Sequence, residues 1–459
     1  MAELAAQAKE RAMSSAEQLR NDIRVRAGGH LALARDGDPD ALNEAGWALV
    51  LPADSDQARR NAIKDALQPL LDRRRRQVDN SRYKELLCAP AWTTDEFLGT
   101  HGAGPGSAEP DKVPYYVLLV GSPEEIPFSV QYDLGVQYAV GRLHFADLDG
   151  YRRYAEGVVR AEREGRTDEP SAAFFGVDGD RSTQRSATEL VAPLADLAAA
   201  HRPPPWRVSR YVGAQATKQR LKRLLGGDDT PWLLFTASHG LGLFRESDSE
   251  RQRRVHGALV CQDWPGRGAP TREQFFAAED LASDVDLRGL IGFHFACFGA
   301  GTPVYNSFHD YDRLLSRHLE TGERVTDRPF VARLPMSMLE RGALAVIGHV
   351  DRAWSVAFSW KDPSGRDFRY TTTFEDVVSR LLRGRRAGYA MEYFGLLGAT
   401  LGARIAALQR DLRNPMASPV SDAQWAYSFL CWHNARNHIL LGDPAVRLPV
   451  HGPEKAAAP

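Results

Sequence analysis

A series of continuous apolar runs, alternating with helical segments after residue 110, constrains this fold more than any other feature of the sequence. A run in which nearly every residue is apolar is typical of a strand buried on both faces of a sheet. The segments between the runs carry apolar residues at helical spacing. This alternation predicts an α/β fold, with a mostly parallel sheet covered by helices on both faces. The predicted strands are residues 115–120, 138–143, 172–177, 206–212, 232–237, 290–296 and 343–347.

Residues 1–110 have a different pattern. The first 36 or so residues are polar and helix-prone, and the short apolar run at 47–51 indicates a strand. Residues 55–77 place their apolar side chains on one helical face, although Pro69 is expected to kink or shorten that helix. The Gly- and Pro-rich stretch 101–114 indicates a boundary. We therefore expect a mixed, mainly helical N-terminal region over residues 1–110.

Charge and hydropathy exclude several classes of partner. The chain has 459 residues, 25% of them charged, and a formal net charge of −1. A near-neutral chain with dispersed basic residues gives no reason to expect nucleic acid or an anionic membrane as partner. We find no apolar stretch of membrane-spanning length and no apolar core of a secretory signal. These features predict a soluble cytoplasmic protein.

The four cysteines, Cys88, Cys261, Cys297 and Cys431, are widely spaced and form no CxxC pair. This spacing indicates neither a disulfide framework nor a zinc site, and few cysteines in a long chain suit a reducing compartment. No metal or organic cofactor is implied.

Two of the predicted strands end in reactive side chains. The run at 232–237 leads into Ser238-His239-Gly240, and the run at 290–296 leads into Cys297. If these strands are neighbours, His239 and Cys297 face each other beyond the carboxyl ends of the sheet, where α/β proteins bind ligands. A thiol beside an imidazole can become a nucleophilic thiolate, and the amides of Gly240 and Cys297 are candidates for an oxyanion hole. The alternative is that Cys297 is a small buried hydrophobe and His239 a plain loop residue.

A wider set of motifs resembles a known family. Strand-Ser-His-Gly, followed by a separate strand-Ala-Cys-Phe-Gly-Ala-Gly, is similar to the two catalytic segments of clan CD cysteine peptidases, which include caspases, gingipains, separase and CHAT-type proteases. The gingipain-like branch is the closer match. Its further motifs resemble residues 114–127, 139–142, 341–348 with Trp354, and 437–448, so the resemblance spans roughly 113–448.

The resemblance implies a caspase–hemoglobinase-like fold, with a first subdomain at 111–168, a catalytic subdomain at 169–450 and a tail at 451–459. It implies a cysteine endopeptidase in which His239 is the general base and acid, and Cys297 the nucleophile that forms a thioester. The expected partners are a protein substrate and a regulatory protein on residues 1–110. The likeness to CHAT-type proteins suggests a role in bacterial defence or programmed death, and the lack of a signal suggests regulated intracellular cleavage.

Further roles in the cleft follow from the same resemblance. Trp354 falls where the gingipain-like branch has an aromatic wall of the S1 pocket. Asp133 and Asp351 are candidate acids for binding Arg or Lys at P1, as are Asp310 and Asp312. Glu124 and Glu125 are candidates to orient His239. Residues 243–262 are expected to form a hairpin with a polar tip beside His239, as a substrate-contacting flap, a site of autocleavage or an uncommitted surface loop.

Two other functions stay open at the level of sequence. A non-enzymatic adaptor on a degenerate peptidase fold predicts a buried, unreactive Cys297. A cysteine-dependent hydrolase or acyltransferase for small molecules predicts a closed apolar pocket instead of an open groove.

Overall fold

The computed structural model describes residue 33, residues 37–226, 229–244, 248–307, 324–355, 358–361, 367–413, 421–450 and residue 452. Ten strands of this part form one sheet. They are β1 Trp47–Pro52, β2 Tyr83–Cys88, β3 Tyr116–Val120, β4 Ala139–Leu143, β5 Ser171–Gly176, β6 Arg207–Val212, β7 Leu233–Ala237, β8 Ile291–Phe295, β9 Ala345–His349 and β10 His438–Gly442.

The strand order is β2-β1-β3-β4-β10-β9-β8-β7-β5-β6. Strands β2, β1, β3 and β4 are parallel to one another, and so are β9, β8, β7, β5 and β6. Strand β10 lies between the two blocks, antiparallel to β9, and joins β4 through a ladder of two residues. The prediction of an α/β fold with a mostly parallel sheet is confirmed.

The segments that follow β3 and β8 meet at one edge of the sheet. Phe128 lies in the segment that follows β3, and its ring packs against Gly301, which follows β8. This contact joins segments that leave the carboxyl ends of strands in different blocks. The side chains that follow β5, β7 and β8 therefore share this edge with those that follow β3.

Helices cover the sheet on both faces. The connection from β1 to β2 and the connection from β5 to β6 run in opposite directions along the sheet, so right-handed crossovers place their helices on opposite faces. The main helices are α1 Gln57–Gln77, α2 Thr94–Thr100, α3 Phe128–Leu134, α4 Leu148–Glu164, α5 Ala192–Ala200, α6 Lys218–Leu224, α7 Ser249–Val255, α8 Arg333–Glu340, α9 Thr372–Leu382, α10 Glu392–Arg413 and α11 Asp422–Arg436. Helices α1, α4 and α8 pack in one layer, and α5, α9, α10 and α11 pack in the other.

The described part of the N-terminal region belongs to the sheet. The predicted strand at 47–51 is β1, which pairs with β3 from Trp47 opposite Tyr116. Strand β2 was not predicted, because YKELLC is not a continuous apolar run. Its residues alternate between exposed and buried from Glu85 to Cys88, as in an edge strand with one solvated face. Helix α1 continues to Gln77 with Pro69 inside it.

The charged segment at 243–262 differs from the expected hairpin. Residues 249–255 form α7. Asp248 caps its N-terminus, because the Asp248 side chain accepts a hydrogen bond from the Arg251 amide. The helix buries Gln252 and Val255, at the three-residue spacing that one helical face provides. A short antiparallel pairing of Leu259–Val260 with Phe275–Phe276 follows it. The polar tip of the expected hairpin is thus a helical turn, apart from residues 245–247, which lie outside the described residues.

A buried ionic cluster joins the N-terminal region to the last strand. Asp443, which follows β10, accepts hydrogen bonds from Trp47 Nε1 at 3.0 Å and from Arg74 Nε at 2.7 Å. The Arg74 guanidinium also binds Glu162 of α4 at 2.6 Å. Burial favours the neutral form of Glu162, but Arg74 and Arg73 outweigh it and hold the pKa of this carboxyl below its usual range. The closing Gly-Asp-Pro-Ala motif is therefore an anchor for β1, α1 and α4.

We expect Asp443→Asn to lower the free energy of unfolding by about 3 kcal/mol, because one partner of a buried ion pair is lost. The effect should lie at the lower end of the range for such pairs, since Glu162 still binds Arg74. Urea denaturation measures it. Asp133→Asn is the matched control, because Asp133 pairs with Arg436 while half exposed, and it should change the stability by less than about 1 kcal/mol. Equal effects of the two substitutions would contradict the anchoring role of Asp443.

Candidate active site

Three adjacent strands, β5, β7 and β8, end beside one another at one edge of the sheet. Strands β7 and β8 pair in parallel with Ala237 opposite Phe295, so His239 and Cys297 each lie two residues beyond this pair. The Ser238 amide continues the ladder by donating to the Phe295 carbonyl at 3.2 Å. On the other side of β7, Gly176 of β5 lies opposite Ala237. The structure thus brings His239 and Cys297 to neighbouring strand ends, as the sequence predicted.

Asp180, which follows β5, is the carboxylate in contact with His239. Its Oδ2 lies 2.5 Å from His239 Nε2. Its Oδ1 accepts hydrogen bonds from the amides of Ser182 and Thr183, both at 2.9 Å, at the start of a helical turn. The Thr183 hydroxyl in turn accepts from the Asp180 amide at 3.0 Å. This capping box fixes the Asp180 side chain while it binds the imidazole.

The hydrogen bonds of Asp180 also determine its ionisation. Burial favours the neutral carboxyl, but the Thr183 amide and His239 stabilise the anion and lower the pKa of Asp180 overall. The side chains of His239 and Asp180 are 34% and 31% exposed, so the pair opens to solvent. Because the Asp180 carboxylate accepts a hydrogen bond from His239 Nε2–H, the remaining ring nitrogen, Nδ1, is the one available for proton transfer.

Cys297 differs from the other three cysteines. It is half-buried, whereas Cys88, Cys261 and Cys431 are buried. Its Sγ lies 3.6 Å from the Ala353 carbonyl oxygen, as a donor. Burial is the main reason that the pKa of Cys297 is raised, and the Gly240 amide directed at the sulfur opposes that effect. Cys297 therefore keeps some exposure to solvent, and its thiol needs a base to ionise at neutral pH.

Gly240 lies so close to Cys297 that a side chain does not fit. A Cβ atom at position 240 would lie 1.7 Å from the Cys297 carbonyl oxygen. Gly240 also pairs with Leu259 in an antiparallel bridge, in which Leu241 donates to Ala258 and Val260 donates to His239. Since this bridge uses the neighbouring amides, the Gly240 amide is left to face the thiol.

Glu124 and Glu125 were expected to orient His239, but the carboxylate that contacts His239 is that of Asp180. Glu124 lies 3.8 Å from Arg328, and Glu125 pairs with Arg59 and accepts from the Ser122 amide. Both follow β3, which four strands separate from β7. At a strand spacing of about 4.8 Å, that separation is on the order of 24 Å.

The candidate specificity residues are dispersed. Asp133 forms an ion pair with Arg436 at 2.9 Å. Asp351 is buried, and its carboxylate lies at the edge of a cavity of about 290 Å³ with His433 and Ser307. Trp354 directly follows Ala353, whose carbonyl contacts Cys297, and it packs against an apolar cluster that contains Trp425 and Phe429. Asp310 and Asp312 lie outside the described residues.

Asp180 is the site residue that sequence reasoning missed. A signal for it was present: the run at 172–177 is followed by Asp-Gly-Asp-Arg-Ser-Thr, in which an Asp three residues before a Thr can cap a helix. His239 and Cys297 were selected as reactive side chains that follow a predicted strand, and Asp180 meets the same criterion. What the sequence did not contain was the strand order that makes β5 a neighbour of β7.

Two searches of the described residues give negative results. They contain no group of three or more His, Cys, Asp or Glu side chains placed to hold a metal ion. None of the helices in the described ranges combines the length and the apolar character that crossing a membrane requires.

Comparison with known proteins finds structural likeness without a sequence match. No family model matches the chain, and no curated protein matches it significantly. The crystal structure of the Arg-specific cysteine proteinase gingipain R (RGPB) matches 88% of this chain and 78% of its own, at 12% identity and a TM-score of 0.49. The complex of the RgpB pro- and mature domains from Porphyromonas gingivalis matches 88% of this chain and 80% of its own, at 11% identity and a TM-score of 0.46. The separase–securin complex of Saccharomyces cerevisiae matches 72% of this chain and 16% of its own, at 11% identity and a TM-score of 0.30.

Proposed function

We propose that this protein is a cysteine endopeptidase in which Cys297 is the nucleophile, His239 the general base and acid, and Asp180 the residue that orients His239. The observation that carries the proposal is the alignment of the three side chains on adjacent strand ends, with the Asp180 carboxylate 2.5 Å from His239 Nε2. A nucleophile, a base and a group that orients the base form the arrangement that covalent acyl transfer requires.

Attack begins with a proton transfer within the site. His239 Nδ1 takes the proton of the Cys297 thiol, and Asp180 stabilises the imidazolium through Nε2. The thiolate then attacks the carbonyl carbon of a peptide bond. The negative charge that forms on the carbonyl oxygen is received by the amides of Gly240 and Cys297.

The intermediate collapses in the direction of a thioester. The carbon–nitrogen bond breaks, and His239 gives its proton to the departing amine. Water then loses a proton to His239 and attacks the thioester carbonyl, so that the carboxylic acid product leaves and the Cys297 thiol is restored. Each step uses groups of this chain and water only.

Exposure of the site supports an endopeptidase over the two alternatives. A degenerate adaptor predicts a buried Cys297, but the Cys297 residue is half-buried while the other three cysteines are buried. A small-molecule hydrolase predicts an enclosed pocket, whereas His239 and Asp180 are each about one third exposed. An open site at a sheet edge suits an extended polypeptide.

The proposal extends to the residue preferred at P1 and to the cellular compartment of the enzyme. A basic P1 residue would need an acid, and Asp133 would have to exchange its partner Arg436 to provide one. The proposal places the enzyme in a reducing compartment such as the cytoplasm, because Cys297 must remain a free thiol.

The test is hydrolysis of a positional peptide library that varies P1, before and after treatment with iodoacetamide. We expect cleavage at internal peptide bonds, and we expect it to stop when mass spectrometry finds Cys297 alkylated. Arg or Lys at P1 would support an acidic S1 pocket. Cleavage that persists after complete alkylation of Cys297 would contradict the proposal, and cleavage of small esters without any peptide would favour the small-molecule hydrolase.

A further inference from the structure

Two residues with positive φ lie near the nucleophile and contact each other. Phe298, with φ of 57°, directly follows Cys297, and Asp351, with φ of 73°, lies in the loop after β9. In the described part of the chain they are the only residues other than glycine with positive φ. The Phe298 amide donates to the Asp351 carbonyl at 2.7 Å. Each such conformation costs roughly 1–3 kcal/mol and persists only where the surroundings impose it.

The Asp351 carboxylate holds this backbone conformation in place through hydrogen bonds to three donors. Its Oδ2 accepts hydrogen bonds from the Ser307 amide at 2.8 Å and from His433 Nε2 at 3.2 Å. Its Oδ1 accepts from the Arg352 amide at 2.8 Å. One buried side chain thus joins the segment after the nucleophile, its own loop and helix α11. A carboxylate with three protein donors is occupied as a structural acceptor, which leaves it less suited to a P1 side chain than the sequence suggested.

The loop that Asp351 fixes reaches the reactive sulfur. Two residues beyond Asp351, the Ala353 carbonyl accepts the Cys297 thiol at 3.6 Å. On the other side of Asp351, the His349 carbonyl accepts from the Ala300 amide at 3.0 Å. The turn that carries Cys297 and the loop that contacts its thiol are therefore held together at Asp351.

We propose that Asp351 is a positioning residue, which aims the Cys297 thiol at His239 by holding the Phe298 turn and the Ala353 carbonyl in place. The inference rests on the proposed cysteine peptidase function. Asp351 does not touch the substrate in this role. Its loss should therefore affect the rate of reaction of the thiol more than the binding of peptide.

The test compares wild type with Asp351→Asn and Asp351→Gly. Asparagine tolerates the left-handed backbone but loses the carboxylate, and glycine adopts that backbone freely without a side chain. We expect both variants to lower kcat by about tenfold or more, because small misalignments of reacting groups have effects of that size. KM should stay within about twofold of wild type, since peptide binding is retained.

Alkylation of Cys297 by iodoacetamide gives a second readout, which does not require peptidase activity. Burial is the largest cause that raises the pKa of Cys297, and the negative charge of Asp351 is a smaller one. Removing that charge alone would lower the pKa of the thiol and speed its alkylation at pH 7. Loss of alignment with His239 would slow it, and we expect it to slow by about tenfold. The three buried cysteines allow the Cys297 adduct to be followed by mass spectrometry.

Asp286→Asn is the matched control, because Asp286 lies before β8 at the other edge of the sheet and pairs there with Arg160 at 3.6 Å. It should leave kcat and the alkylation rate unchanged. Wild-type kcat in Asp351→Gly, or alkylation in Asp351→Asn that is unchanged or faster, would overturn the positioning role. If wild type cleaves no peptide, the proposed peptidase function fails, while the alkylation rates still decide whether Asp351 positions Cys297.

Discussion

Replacing Cys297 with alanine is expected to reduce peptide hydrolysis to near the background rate, a loss in kcat on the order of 10⁵ to 10⁶. The thiol is the group that forms the acyl-enzyme, and no other cysteine shares its half-buried position. The Gly240 amide and the His239–Asp180 pair would remain, but without a nucleophile they act only on water. Steady-state hydrolysis of the best peptide from the library measures the change.

Cys88→Ala is the control for this substitution. Cys88 ends strand β2 at the far edge of the sheet, and burial raises the pKa of its thiol to about 11, so it is neither accessible nor ionised at neutral pH. The same chemical change at this position should leave kcat unaltered. A Cys297→Ala protein that kept more than about one hundredth of the wild-type kcat would refute Cys297 as the nucleophile, because oxyanion stabilisation alone gives far less.

The strands were predictable where burial on both faces leaves a continuous apolar run. The run predicted at 232–237 is β7, Leu233–Ala237, and the run predicted at 290–296 is β8, Ile291–Phe295. Strand β2 was missed because polar residues at Lys84 and Glu85 interrupt its sequence, so it contains no continuous apolar run. Local periodicity reports the burial of a segment but not its neighbours, so it could not supply the order of the strands.

Local sequence patterns likewise identified some residues of the site but not others. His239 and Cys297 could be selected because each follows an apolar run directly, at the sheet edge where ligands bind. Asp180 follows β5 in a similar way, but only the strand order shows that β5 lies beside β7. Glu124 and Glu125 were chosen because they lie within a family-like motif, but that motif follows β3, and four strands lie between β3 and β7. Proximity in space had to come from the tertiary structure.

Asp180→Asn is expected to lower kcat by about 10² to 10⁴, with little change in KM, because the amide cannot stabilise the imidazolium that forms when His239 takes the thiol proton. The asparagine can still accept from the Ser182 and Thr183 amides, so the helical turn should stay folded. The pH profile of kcat/KM gives a second measurement. Without an anionic partner the protonated imidazole is less stable, so the acid limb of the profile should move to lower pH.

The direction of that movement separates an orienting acid from a structural one. In wild type the pKa of Asp180 is lowered, so its anion contributes above the ordinary range of aspartate and is lost only as the pH falls through the lowered value. Protonation of Asp180 should therefore affect the wild-type profile only below the ordinary range of aspartate. Asp178→Asn provides the control, since its carboxylate lies in the same loop but packs against Gly213. If Asp178→Asn matched Asp180→Asn in kcat and in the pH profile, the loop as a whole, and not the Asp180–His239 contact, would support catalysis.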